Sequence, residues 1–279
     1  MEKTIFDVLE TRATCRNFLP DLIEEPVLEQ MYSAAASAPS GGGFQNISII
    51  EVSDEADKQR LAQFSRGQGF IAKAPINLVF CVDHRRTWRI AEHEYAPKDP
   101  VVDVFDFILG VVDAAISAQT LCLAGETLGV RSCFNGNILQ QIDEICEMLS
   151  IPKYVLPVFM VTIGYPAGKA APLSGKYPWN LLVSRNRYCD MDMQELYAAY
   201  EKKTGTNHIK SRGTNLIKLY ETAEKRYGAK WAKECMDRVQ ERGELTPLQF
   251  WLGCFYAERA GSLDAETMKQ LFHRQGFQW

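Results

Sequence analysis

The chain of 279 residues lacks the compact motifs by which many enzymes are recognised. It contains no G-x-x-x-x-G-K-[ST] phosphate loop, no G-x-G-x-x-G, no G-x-S-x-G and no H-E-x-x-H. Its four histidines lie far apart in sequence, so we expect no histidine-based metal site. These absences disfavour a Rossmann dinucleotide crevice and a metal-dependent hydrolase, and they leave only small, scattered clusters to carry any chemistry.

Three further absences restrict the class of protein. The eight cysteines form no C-x-x-C pair, which argues against zinc and iron–sulfur sites and favours reduced, buried thiols. The 31 basic and 35 acidic residues give a net charge of −4, so neither nucleic acid nor a membrane surface is an expected partner. In the apolar stretch near the middle, the longest uncharged part is Ala114–Gly125, far short of the ~20 residues that span a bilayer. With no recognisable signal peptide, we expect a cytoplasmic protein.

The residue pattern changes near residue 188. Before it, segments typical of strands and helices alternate, and after it every segment is typical of a helix. The pattern therefore predicts a first domain at 1–188 and a helical C-terminal domain at 189–279. The clearest predicted strands are 47–52, 76–82 and 157–165, and the longest predicted helix, 103–128, is apolar almost all round, which indicates burial.

Two small clusters in the first domain suggest a ligand site. Arg12-Ala13-Thr14-Cys15-Arg16 places a hydroxyl between two guanidinium groups, whose forked donors match a phosphate. The stretch 38–45 contains three consecutive glycines beside Ser40 and Gln45, which would let the backbone approach a flat ligand. Taken alone, each cluster is also compatible with an ordinary helix end.

The two clusters, in this order and about 25 residues apart, resemble the start of the FMN-dependent nitroreductase family. That family carries R-x-[ST]-x-[RK]-x-F followed by A-P-S-G-x-N-x-Q-P. Four later segments of this chain are similar to family segments in the same order, namely Gly67–Pro75, Asp113–Gly129, Cys133–Asn137 and Val161–Pro166. The resemblance covers residues 1–185 and implies an α+β fold, with a central, mostly antiparallel sheet flanked by helices and followed by the helical C-terminal domain.

The resemblance also implies which residues bind FMN. They are Arg12, Thr14, Arg16, Pro39, Ser40, Gly41, Gln68, Gly136, Asn137 and Lys176. The arginine cluster would hold the phosphate and ribityl chain, residues 39–41 would border the ring, often that of the partner subunit, and Gln68 would bond the ring or ribityl. Backbone N–H groups near Gly136 would face N5 and O4 of the flavin. Lys176, or Lys169 as second choice, would reach the phosphate.

The implied function is an FMN-dependent oxidoreductase that passes hydride from NADH or NADPH to a nitroaromatic or quinone by a ping-pong scheme. Flavin N5 carries such chemistry, so no catalytic side chain and no metal are expected. The apolar helix 103–128 would form the interface of a homodimer. Alternatives are a flavin-binding or helical interaction module without turnover, and a specialised dehydrogenase or dehalogenase on the same fold.

Residues 84–102 differ from their surroundings. Several charged residues mix here with two aromatic residues and two prolines, which predicts an irregular excursion. It would serve as a lid on the substrate side, with Trp88 and Tyr95 stacking on an acceptor. Arg85, Arg86 or Arg89 would then meet a nicotinamide phosphate or a substrate carboxylate. The alternative is a solvated loop whose aromatics anchor it to the core.

Overall fold

A computed structural model describes residues 4–98, 101–168, 173, 175–205, 209–210, 213–257 and 265–278. The chain divides into two compact units. The first unit comprises Met1–Leu173 together with Leu263–Trp279, and the second comprises Ser174–Ser262.

A four-stranded antiparallel sheet forms the centre of the first unit. Its strands are β1 (Ile47–Val52), β2 (Ile76–Asp83), β3 (Arg131–Asn135) and β4 (Val155–Gly164), in the spatial order β1-β2-β4-β3. Every residue of β2 is buried, as expected for a central strand with both faces covered. The pleat sends Val79 and Cys81 into one apolar cluster and Leu78 and Phe80 into another, so the sheet separates two cores.

Eight helices of the first unit surround this sheet in the described residues. They are α1 (Ile5–Thr11), α2 (Glu25–Ala36), α3 (Glu55–Phe64), α4 (Gly69–Lys73), α5 (Arg85–His93), α6 (Val104–Thr127), α7 (Ile142–Met148) and α13 (Ala265–Arg274). The longest, α6, starts at the cap Asp103, whose carboxylate accepts the Asp106 N–H at 2.9 Å. A Cβ on Gly110 would lie 2.5 Å from Val82 Cγ1, so this glycine lets α6 pack closely on β2.

By length and composition, α6 is the one described helix that could cross a membrane. Its residues Ala118, Leu121 and Cys122 instead fill the core between the sheet and α2. We therefore assign α6 as the core helix of the first unit.

The second unit is mainly helical. Its elements are α8 (Trp179–Leu182), α9 (Met193–Thr204), β5 (Ile209–Lys210), α10 (Gly213–Tyr227), α11 (Ala229–Arg242), β6 (Glu244–Leu245), α12 (Pro247–Phe250) and a π-helical turn at Trp251–Phe255. Leu219, Val239 and Leu245 belong to its small buried core. The predicted helix at 229–242 is present with the same bounds, whereas the short β5–β6 pair was not predicted.

Two features differ from the sequence-based expectation. The predicted domain boundary at 188 differs from the division in the structure, because residues 265–278 return to the first unit, where Leu271, Phe272 and Phe277 are buried in its core. The predicted irregular excursion at 84–102 contains the regular helix α5. Its prolines follow the helix rather than interrupt it, and one side of the helix packs on the core through Trp88.

Candidate functional site

The arginine segment, residues 12–16, lies along the open edge of β3. Arg12 ends α1, with its N–H donated to the Val8 carbonyl at 2.9 Å. The Cys15 N–H donates to the Ser132 carbonyl at 3.0 Å, which attaches the segment to β3. Asn17 and Ala167 then exchange hydrogen bonds, with the Asn17 amide 2.8 Å from the Ala167 carbonyl. Backbone hydrogen bonds thus attach the segment to β3.

Arg12 and Arg16 converge on the Cys133 thiol of β3. Burial raises the pKa of Cys133, and the positive charges of Arg16 and Arg12 oppose this increase. Arg16 Cζ lies 6.0 Å from the centre of the Phe70 ring. The Arg12 Nε is buried and has no hydrogen-bond partner in the structure. A buried donor without an acceptor is costly, so this nitrogen suits an anionic ligand. Thr14 lies half-buried between the two arginines.

Gln68 lies near the arginine segment of the same chain. It caps α4, and Phe70, the ring next to Arg16, follows it by two residues. Its side-chain amide donates to the Ser65 carbonyl at 2.9 Å, which closes the turn. The first unit therefore places the Gln68 turn near Arg16, through Phe70, and the predicted flavin contacts of Arg12, Thr14, Arg16 and Gln68 stay predictions.

The glycine loop, residues 39–45, is held elsewhere, on α6. The Gly41 N–H donates to both carboxylate oxygens of the buried Asp113, at 3.0 and 3.2 Å. Ser40 Oγ accepts the Gln45 N–H at 3.2 Å, and Gly42 adopts a φ of 58°, which glycine tolerates best. The sequence-based interpretation missed Asp113, although an acid inside an apolar helix was a usable signal.

The arginine segment and the glycine loop are separated within one chain. Burial raises the pKa of the Cys122 thiol to about 11, and the positive charge of Arg12 opposes this increase, so Arg12 lies near Cys122. Cys122 follows Asp113 by nine residues of α6, which is about 13 Å along a helix axis. Pro39, Ser40 and Gly41 therefore do not join Arg12 and Arg16 in a single subunit.

The turn after β3 uses one of its predicted donors internally. Gly136 precedes a short 3₁₀ turn at Asn137–Gln140. The Asn137 N–H donates to Asn135 Oδ1 at 2.9 Å, which differs from the predicted role of this N–H toward a flavin.

Lys176 belongs to the second unit, where its side chain is exposed, and its predicted phosphate contact stays a prediction. Lys169 lies outside the described residues.

The predicted lid residues lie at the opposite edge of the sheet from the arginine segment of the same chain, and their role over a flavin face stays a prediction. In α5, Arg86 donates to the Ile47 carbonyl of β1 at 3.1 Å, so the helix lies at the β1 edge. The β3 edge is three strand spacings away, about 14 Å. The Trp88 ring packs 4.6 Å from the Tyr154 ring, which supports the alternative of a core-anchoring aromatic. Arg89 and Tyr95 are exposed on this same edge segment.

The sheet and its helices define an α+β fold, and the arginine segment at the β3 edge is its candidate site for an anionic ligand. The model described as "Nitroreductase family" matches residues 9–165, more than half of the chain, and the chain belongs to this family. The predicted family, fold class and oxidoreductase activity are thereby confirmed.

Named relatives agree with this assignment. The oxygen-insensitive NADPH nitroreductase of Salmonella typhimurium is 31% identical over 215 residues, which are 77% of this chain and 86% of the relative. The FMN reductase (NADPH) of Bacillus subtilis is 31% identical over 179 residues, 64% of this chain and 70% of the relative. The solved structure of B. megaterium NfrA2 is similar in fold, with a TM-score of 0.74 at 22% identity, covering 99% of this chain and 98% of that chain.

Proposed function

We propose that the chain is an FMN-dependent NAD(P)H oxidoreductase that delivers hydride to an electron-poor small molecule, such as a nitroaromatic or a quinone, by a ping-pong scheme. The family supports FMN and NADH or NADPH, since curated relatives are named as an NADPH nitroreductase and as FMN reductases. The buried, unpartnered Arg12 Nε is the observation that carries the proposal for this chain.

The residues at the β3 edge fit the phosphate end of FMN. A phosphate would supply the acceptor that Arg12 Nε lacks, and Arg16 would add a second charged donor. Thr14 is half-buried, lies two residues from each arginine in sequence, and can donate from its hydroxyl. These side chains bind and orient the cofactor, and Lys176 is proposed as a further phosphate contact.

We infer that a homodimer completes the site. On α6, the side chains of Phe105, Ile108 and Val112 are 65%, 53% and 47% exposed and form one apolar stripe. On α1, Phe6 is 71% exposed. Such a surface is unfavourable in water and suits a second copy of the chain. A second copy would also bring its Pro39–Gly41 segment to the ring of a flavin held by Arg12 and Arg16.

Purified protein tests the cofactor proposal directly. We expect an absorbance spectrum between 350 and 500 nm typical of bound flavin, or its appearance after FMN is added. A colourless protein that refuses added FMN contradicts the proposal.

Turnover requires a separate assay. Oxidation of NADPH or NADH with a nitroaromatic acceptor should give parallel lines in double-reciprocal plots. A bound flavin that neither nucleotide reduces would favour the alternative of a flavin-binding module without reductase turnover.

The proposed location is the cytoplasm. All eight cysteines are free in the structure, which suits a reducing compartment. Cell fractionation with an antibody to the chain tests this location.

A further inference from the structure

A second cationic site lies away from the arginine segment. A cavity of about 390 Å³ opens between β1, α5 and the loop after α7, and Ser48, Ser150, Arg85, Arg86 and Arg89 belong to its lining. This volume lies in the range of small-ligand sites. The cavity is at the β1 edge of the sheet, whereas the arginine segment is at the β3 edge.

One of the three arginines has a structural role. Arg86 Nη1 lies 3.3 Å from the Gln45 carbonyl, and Nη2 lies 3.1 Å from both the Ile47 carbonyl and Ser48 Oγ. It also pairs with Asp83 at 3.5 Å. Asp83 is the one acidic side chain in the cavity lining, and its carboxylate additionally accepts the Ser48 hydroxyl and the Arg86 N–H. The only carboxylate in the described cavity lining, that of Asp83, is therefore already paired with Arg86 and Ser48.

Arg85 and Arg89 have no such partners. Within the described part of the chain, neither guanidinium forms an ion pair or a hydrogen bond. The two residues are four apart on α5, so they stand on one face with their Cβ atoms about 6 Å apart. Like charges at this spacing repel each other, and a shared anion would relieve the repulsion. Ser150, held at a φ of 52°, places a hydroxyl-bearing residue at the same cavity.

We propose that this cavity binds a diphosphate, free or as part of a dinucleotide. Each guanidinium presents paired donors that match one phosphoryl group, and the two groups stand one helical turn apart. The proposal is independent of the function proposed above, because its test measures binding and no turnover.

The test is calorimetric titration of inorganic pyrophosphate into the full-length protein at low salt, with FMN present in excess throughout. We expect saturable binding that weakens at least about tenfold in the double variant Arg85→Gln and Arg89→Gln, since charge-assisted hydrogen bonds are lost. The matched control is Arg60→Gln with Lys269→Gln, which removes the same charge from exposed positions of the first unit and should change affinity less than twofold. Equal losses in both double variants, or no saturable binding, would overturn the proposal.

Two further arms identify the site and the source. The same titration with Arg12→Gln and Arg16→Gln should be unchanged, whether or not that protein retains FMN, and loss of binding there would assign the pyrophosphate to the arginine segment instead. Competition by NAD⁺ would identify a dinucleotide as the source of the diphosphate. Pyrophosphate binding without competition by NAD⁺ would identify a free diphosphate.

Discussion

The arginine segment and the glycine loop are the two parts of the candidate ligand site, yet their polar groups differ in how many hydrogen-bond partners they have within the chain. In the glycine loop, the Gly41 N–H has two acceptor oxygens and the Gln45 N–H has one. In the arginine segment, the Arg12 Nε is buried and has none. Satisfied donors define the shape of a loop, whereas an unsatisfied buried donor at an open edge is available to an acceptor atom of a ligand. The comparison separates residues that build a site from residues that hold its occupant.

The largest effect should come from preventing the two regions from meeting across a dimer. Phe105→Glu places a charge in the exposed apolar stripe of α6, and burying it in an interface should raise the dimer dissociation constant about 100-fold. FMN affinity should fall with it, because the second glycine loop is lost. Sedimentation velocity measures the first effect. The control Tyr95→Glu alters a side chain that is 94% exposed on another surface, and it should leave the dimer intact.

A smaller but more selective effect is expected from the arginine segment itself. Arg16→Ala should weaken FMN binding about 10- to 100-fold while the rate with saturating FMN changes less, since a charge-assisted hydrogen bond to the phosphate is lost. Fluorescence titration of FMN measures the affinity. Arg60→Ala, an exposed arginine of α3, is the control. Unchanged FMN affinity would remove Arg16 from the site.

A mutation that removes the support of the glycine loop should lower the stability of the protein more than it lowers FMN affinity. Asp113→Ala leaves the Gly41 N–H without its acceptor, so we expect the free energy of unfolding to fall by about 2 kcal/mol. Urea denaturation followed by circular dichroism measures this loss. The exposed Asp21→Ala is the control. A stable Asp113→Ala protein with weakened FMN binding would reverse the roles assigned to the two regions.

The smallest effect is expected at His84, which shows that a buried nitrogen without a hydrogen-bond partner need not mark a ligand site. His84 Nε2 is also buried without a partner, but its ring faces Trp88 and Phe277, 6.2 and 6.4 Å away, rather than an open edge. Burial lowers the pKa of His84, although Asp106, Asp83 and Asp103 act in the opposite direction. The folded state therefore favours neutral imidazole, and stability present above the unfolded pKa of ~6.5 should decline as pH falls below it. The difference in unfolding free energy between wild type and His84→Gln should shrink on acidification. A difference that does not vary with pH contradicts this account.

Local patterns in the sequence predicted much of the fold. The strand at 47–52 has the predicted bounds, and the apolar run 103–128 predicted α6 to within one residue at each end. The pattern failed where distant residues decide the structure. Trp88 of α5 packs on Tyr154, so one face of this charged helix contacts the core. Phe277 belongs to the same core, whose other residues lie far earlier in the chain.

The candidate site was predictable in part for the same reason. Arg12, Thr14 and Arg16 are local and therefore visible in the sequence. The pairing of Gly41 with Asp113 spans 72 residues and has no local pattern. The separation of Gly41 from Arg12 required the sheet and α6 in three dimensions.

The return of residues 265–278 to the first unit makes the helical region an insertion rather than an appendage. Phe277 is fully buried, and the Gln278 N–H donates to the Val102 carbonyl at 2.8 Å. The first unit therefore holds the chain both before and after the helical region 174–262. A protease cut within 174–262 should consequently yield two fragments that co-elute, because the C-terminal fragment remains bound to the first unit through the packing of Phe277 on Phe107. Replacing the helical region 174–262 with another sequence should then leave the core of the first unit intact.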